Sequence, residues 1–274
     1  ALFKSWIDLA SVDIAFICMK SYDTAWATMM IRQYLAADGY AVSLQNCMNE
    51  ETIAGIVGWG KTLGCIASSI TVNLPEPGHI HRGAGKGGAA HTVFRTGEVH
   101  GRITDRAQEI CRLVGYADSA KVTNNLWGER WSKLVANAMG NGLSACTGLT
   151  GGEMLQNEPI RRFSIRLGSE AIRVGQAQGY QLEEILHLPP ETIARAGEGD
   201  DAVGPVARAL EIVGEGALRP GAEAGERGRV HRPPGQHVRC RPTSPPGRHN
   251  VPPGRYTGGW RHCGRPAAAS AIRS

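Results

Sequence analysis

Apolar residues recur along this chain first in short runs, then at helical spacing, and after residue 218 they all but stop. DIAFICMK (13–20) is a short apolar run closed by a polar residue, and SYDTAWATMMIRQYLAADG (21–39) has the spacing of a helix that stops at Gly39. YAVSLQN (40–46), the helix-like EETIAGIVG (50–58) and TLGCIASS (62–69) repeat the alternation. Short buried strands alternating with helices predict βαβ units and a parallel sheet. Ligands on such sheets bind at the carboxyl ends of the strands, and Lys20 and Asn46 occupy those ends.

Residues 70–105 change character. β-Branched runs punctuated by Gly and Pro predict antiparallel strands or hairpins. Within them GAGKGG satisfies G-x-G-x-x-G at Gly83, Gly85 and Gly88. A dinucleotide loop needs a buried strand before it and a helix after it, so that the phosphates meet a helix N-terminus. This one follows PGHIHR and precedes the strand-like HTVFRTG, so a flexible hairpin tip is the preferred reading. His79 and His81 would share a strand face and could form a ligand pair, with His91 and His100 near in sequence. No nearby acid or cysteine completes a set, so exposed hairpin histidines are preferred and no metal is expected.

From about 106 to 215 the chain reads as helical. In NNLWGERWSKLVANAMGNGLSA (124–145), Lys133, Asn137 and Asn141 stand four residues apart and fall on one strip of a helix. Trp127, Trp131, Leu134, Val135 and Ala138 form the adjoining apolar wall. A solvated face is the bland alternative, since Arg130 shares the strip. Repeated Asn, however, is a poor helix former and an able donor and acceptor, so the strip is read as an edge that holds a polar ligand.

Composition changes this picture in two places. The seven cysteines are odd in number and contain no C-x-x-C pair, which points to a reducing, cytoplasmic setting rather than disulfides or structural zinc. No apolar stretch approaches the roughly 20 residues of a membrane span, and no signal-peptide pattern opens the chain. The net charge of +5 belongs to the end of the chain, where residues 219–274 hold eleven Arg, nine Pro, nine Gly and no Lys. Such a segment buries too little apolar surface to offset its ordering entropy and is expected to be disordered. It reads either as an Arg-rich tail that contacts nucleic acid, which would make the chain a non-catalytic binding protein, or as a GC-rich gene translated out of frame.

ICMKSYDT, VSLQN and WGERWSKLVANAMGNGLSACTG, in this order and spacing, resemble the ketopantoate reductase family over residues 10–215. The resemblance implies an α/β plus all-α fold: a partial Rossmann NADP-binding domain (1–115), a helical, 6-phosphogluconate-dehydrogenase-like domain (116–218) and the tail (219–274). It implies NADPH-dependent reduction of 2-dehydropantoate to (R)-pantoate in pantothenate biosynthesis, or of a related 2-keto or 3-hydroxy acid. Lys133 is then the catalytic general acid, Asn137 and Asn141 orient the substrate, and Lys20 and Asn46 line the nicotinamide end of the NADPH site. The expected partner is a small keto acid, with a possible homodimer, no membrane, and nucleic acid only through the tail. Three departures bear on activity. The family's first strand and Gly-rich loop are expected to precede residue 1, Cys47 stands where the family often has Gly, and the family's Arg-Pro-Ser and Thr-Glu-Ile-Asp segments have no match after 218. Little or no turnover by these 274 residues is therefore expected.

Overall fold

The first strand, β1 (Val12–Ile17), buries Ala15 and Ile17 and leaves Asp13 and Phe16 exposed, the half-covered pattern of a strand at a sheet edge. The computed structural model describes residues 11–70, 72–83, 85–199 and 203–218, all within one unit spanning 1–227. The tail 219–274 and the first ten residues lie outside the described residues.

α1 (Thr24–Arg32) is shorter than the periodicity of residues 21–39 predicts, because β2 (Leu35–Ser43) begins well before Gly39. Ala36, Ala37 and Asp38 are compatible with a helix turn by turn, but pairing with β1 overrides that local preference. Val12 pairs with Leu35 and Ile14 with Tyr40, so β2 carries extra residues in a bulge. Gly39 closes the bulge where a Cβ would lie 2.6 Å from the carbonyl oxygen of Val12, a spacing only Gly tolerates.

α2 (Glu50–Val57) and β3 (Thr62–Ala67) follow as the sequence predicts. β4 (Val72–Glu76) and β5 (His79–Arg82) form a separate antiparallel hairpin, while β6 (Phe94–Glu98) returns to the main sheet antiparallel to β3. After α3 (Asp105–Gly115), β7 (Ala120–Thr123) adds a parallel partner to β6. This four-residue strand was not legible in a stretch read as continuously helical, and it carries the sheet past residue 115. The sheet order is β1-β2-β3-β6-β7.

Period-2 alternation sends neighbouring residues of β2 to opposite faces. Ala41 packs with Ala27, Ile31 and Ile53 under α1 and α2, while Tyr40 and Val42 pack with Leu63, Ile110 and Val114 under α3. The sheet is thus covered by helices on both sides, the layering expected of an α/β domain.

The helical region comprises α4 (Leu126–Thr147), α5 (Gly151–Gln156), α6 (Glu158–Ala177), α7 (Pro190–Gly197) and α8 (Val203–Leu218). Val135, Met139, Ile165, Ile172, Ile193 and Leu210 form its core. α4 starts where the Asn125 side chain accepts from the amide of Gly128 and stops at Gly148, which has φ +72°. At about 1.5 Å per residue its length of 22 residues spans about 33 Å. One end reaches the sheet, where Leu126 fills the space left by Gly64 and Gly97, and the rest lies on α6. α4 is therefore the element that ties the helical region to the sheet.

Candidate functional site

Three loops at the carboxyl ends of β1, β2 and β3 face one edge of α4 across a cleft of about 720 Å³. β1 contributes Cys18 to Ser21, β2 contributes Leu44 to Asn46, β3 contributes Ala67 to Ile70, and α4 contributes Lys133, Asn137 and Asn141. The five residues singled out in the sequence, Lys20, Asn46, Lys133, Asn137 and Asn141, all line this one cleft. The cause is topological: parallel strands place their outgoing loops at the same end of the sheet, and the four-residue spacing on α4 turns one strip toward them.

Side-chain amides and hydroxyls hold the two outer loops together. Gln45 Nε2 donates to the Met19 carbonyl (2.7 Å) and to Thr24 Oγ1 (2.9 Å). Asn49 Nδ2 donates to the Asn46 carbonyl (2.6 Å) and to Ser21 Oγ (3.2 Å). Gln45, Ser68 and Ser69 are cleft residues that sequence reasoning passed over; the polar residue closing a buried strand, the signal that marked Lys20 and Asn46, also marks Gln45. Two non-glycine residues at these loop ends have left-handed backbones, Cys47 at φ +67° and Ser69 at φ +55°. The Gly common in the family at position 47 has a physical reason here, since a left-handed conformation disfavours any residue with a Cβ.

The structure disposes of the solvated-face alternative at Arg130, whose side chain is 1% exposed and is ion-paired to the fully buried Glu50. The expected surface of α4 needs one correction: Ala138 is exposed rather than part of the apolar wall. The difference comes from treating α4 as a helix with one covered side, whereas it is gripped by the sheet loops at one end and by α6 along another face.

Lys133 is half-buried and Nζ donates to the Ala67 carbonyl at the end of β3. Its ammonium is pushed down to about 8, first by burial and next by the Arg130 charge, with a further push from Arg95 opposed by Cys65 and Cys47. Among the described residues, no carboxylate lines the cleft. An ammonium of lowered pKa among amides and hydroxyls suits an anionic substrate whose oxygen must be protonated.

GAGKGG is not the tip of the hairpin, which turns at Pro77 and Gly78. The run follows the exposed β5 strand and leads to no helix. The amides of Gly87 and Gly88 donate to Asp118 Oδ1 at 3.0 and 3.3 Å, and Arg82 pairs with the same carboxylate. An internal carboxylate thus takes the amides that a phosphate would need. Among the described residues, no three His, Cys, Asp or Glu side chains gather into a metal-binding group, and no helix is long and apolar enough to cross a membrane.

Comparison with known proteins agrees with this architecture. The model described as ketopantoate reductase PanE/ApbA matches residues 4–91, and its C-terminal counterpart matches residues 125–200. A 2-dehydropantoate 2-reductase of Pyrococcus horikoshii is 24% identical over 175 residues, 64% of this chain and 55% of the relative, so the chain spans about half of that protein's length. The crystal structure of a 2-dehydropantoate 2-reductase from Geobacter metallireducens superposes with a TM-score of 0.59 at 24% identity, covering 79% of this chain and 65% of that one. A complex of D-mandelate dehydrogenase with NADH shares the fold at 14% identity, with a TM-score of 0.57 over 77% of this chain and 61% of that one. The two family matches take in strands β1 to β3, whose loops carry Lys20 and Asn46, and the helix carrying Lys133, Asn137 and Asn141, and the chain belongs to the ketopantoate reductase family.

Proposed function

We propose that this cleft serves the reduction of the 2-keto group of 2-dehydropantoate to the hydroxyl of (R)-pantoate, with NADPH as the reductant. The observation that carries the proposal is the meeting of Lys133, Asn137 and Asn141 with Lys20 and Asn46 around one cleft. NADPH, when bound, supplies the hydride. Lys20 and Asn46, at the ends of β1 and β2, would hold its nicotinamide end, and their chemistry fits that group: a cation and an amide at the carboxyl edge of a parallel sheet. Nζ of Lys133 stabilises the negative charge that develops on the ketone oxygen and then gives it a proton. Asn137 and Asn141, one and two turns further along α4, orient the ketone and the substrate's hydroxyl without adding charge. With a pKa of about 8, Lys133 is mostly protonated at pH 7, so turnover falls as the pH rises through about 8.

The reading extends to a homodimer and a cytoplasmic setting, as in the family. Turnover is expected to be small, since in the Gly-rich run GAGKGG the amides of Gly87 and Gly88 are engaged by Asp118 rather than free for the cofactor's phosphates. The test is NADPH oxidation at high cofactor concentration over a panel of 2-keto acids, with Lys133→Met beside the parent. Turnover preferring 2-dehydropantoate and falling by about 10²-fold or more in the variant supports the proposal. Turnover that ignores the substitution overturns it, and a preference for another 2-keto acid moves the substrate within the same chemistry.

A further inference from the structure

Arg130 lines no part of the cleft, yet it touches the loops that do. Nε donates to Glu50 Oε1 at 2.8 Å and Nη2 donates to the same oxygen. Nη2 also donates to the Ser43 carbonyl at 2.8 Å, and Nη1 to the Gln45 carbonyl. One guanidinium, three residues before Lys133 on α4, thus grips the end of β2, the loop that leads to Asn46 and the first turn of α2. The network continues outward, because Gln45 and Asn49 bind the Met19 carbonyl and Ser21 Oγ on either side of Lys20. Every segment that brings a site residue from the first two loops is therefore connected to α4 through this fork.

Stability does not account for the arrangement. Withdrawing both charges from water costs several kcal/mol per ion, and apolar replacements of similar volume often match or exceed such a pair. Glu50 Oε2, Ser43 Oγ and Gln45 Oε1 are moreover buried without a hydrogen-bond partner. What a planar five-donor fork gives, and packed methylenes do not, is a fixed direction for each carbonyl it binds.

We infer that Arg130, paired with Glu50, is a positioning residue of this cleft, fixing the Lys20 and Asn46 loops at a set distance from Lys133. This inference rests on the reductase reading of the cleft. Lys133 also feels the fork's charge, together with Arg95 from β6, Cys65 from β3 and Cys47 from the loop after Asn46. Loosening the fork should therefore alter both the mobility of the loops and the titration of the lysine. A misplacement of about 1 Å at the reacting groups can cost on the order of a hundredfold in turnover.

Two variants of the full chain test this: Arg130→Lys, which retains the charge but loses the fork, and the double variant Arg130→Met with Glu50→Leu, which removes both charges together. Amide hydrogen exchange follows residues 44–49, with α6 as the control for an intact core. NMR of the reductively ¹³C-methylated chain follows the titration of Lys133, assigned with Lys133→Met. Exchange in 44–49 is expected to quicken about tenfold or more in both variants while α6 is unchanged. The Lys133 midpoint is expected to rise in the double variant and to move less in Arg130→Lys. Where turnover is measurable, kcat falls more than KM rises. Unchanged exchange in 44–49 together with an unchanged midpoint in the folded double variant overturns the inference, and if that variant does not fold, unchanged exchange in Arg130→Lys does so. If exchange and midpoint respond while the parent's turnover is unaffected by Lys133→Met, the positioning role stands and the reductase reading fails.

Discussion

Replacing Lys133 with Met removes a cation from a site that disfavours it, so the variant should be more stable than the parent at neutral pH. The lysine is lowered from 10.5 to about 8 in the folded protein. At about 1.36 kcal/mol per pKa unit this difference amounts to roughly 3 kcal/mol of penalty on the folded state. Nζ lies on the wall of an open cleft where water screens charge, which reduces the figure to about 1–2 kcal/mol. Against it stands the hydrogen bond to the Ala67 carbonyl, worth about 1 kcal/mol or less because cleft water can replace the donor. The expected net gain is about 0.5–1.5 kcal/mol at pH 7, read as a higher urea midpoint at unchanged slope. The pH dependence separates this cause from a packing effect. Between about pH 8 and 10.5 the unfolded lysine holds a proton that the folded one has lost, so parent stability rises across that window. The penalty is fully present below about pH 8, and the advantage of Lys133→Met should shrink as the pH approaches 10. A stability difference between the two proteins that stays constant from pH 7 to 10, or a variant clearly less stable at pH 7, refutes the reasoning.

Three further outcomes are expected. Cys47→Gly relieves a left-handed backbone at φ +67° and, after the entropy cost of glycine, should raise stability by up to about 1 kcal/mol in urea unfolding. Gly39→Ala sets a Cβ 2.6 Å from the Val12 carbonyl oxygen and 2.9 Å from the Ala36 amide nitrogen, both backbone atoms, and should cost about 1–3 kcal/mol with faster exchange in β1. Asp118→Asn removes the carboxylate that binds Arg82 and the amides of Gly87 and Gly88, so limited proteolysis should cut between residues 83 and 91 faster than in the parent. Burial pushes the Asp118 carboxyl up, but the Ser119 amide, Arg82 and the amides of Gly87 and Gly88 together outweigh it and hold the group well below its ordinary range. The parent should approach the variant's cleavage rate only as the pH falls below the usual range of Asp.

Much of the site was readable one residue at a time. A polar residue closing a buried strand marked Lys20 and Asn46, and the four-residue spacing of Lys133, Asn137 and Asn141 was enough to put them on one strip of a helix. These are local regularities, fixed by the period of a strand and the pitch of a helix, and they survive into the cleft of the folded chain. Residues 33–39 failed the same reasoning because Ala, Ala and Asp carry no strong local preference, and the bulged pairing of β2 with β1 decided their conformation. β7 was lost because four residues are too few for any period to be seen, although the sheet needs them as the parallel partner of β6.

The sequence by itself determined the class of fold, the strip on α4 and the chemistry of the groups that line the cleft. Only the tertiary structure decided that Arg130 goes inward to Glu50 and the β2 carbonyls, because its partner lies 80 residues away and no local pattern encodes that distance. The lowered pKa of Lys133 is likewise a tertiary fact. Its identity as a lysine is local, but burial against the end of β3 and the approach of the Arg130 charge arise only when the helix is laid across the sheet.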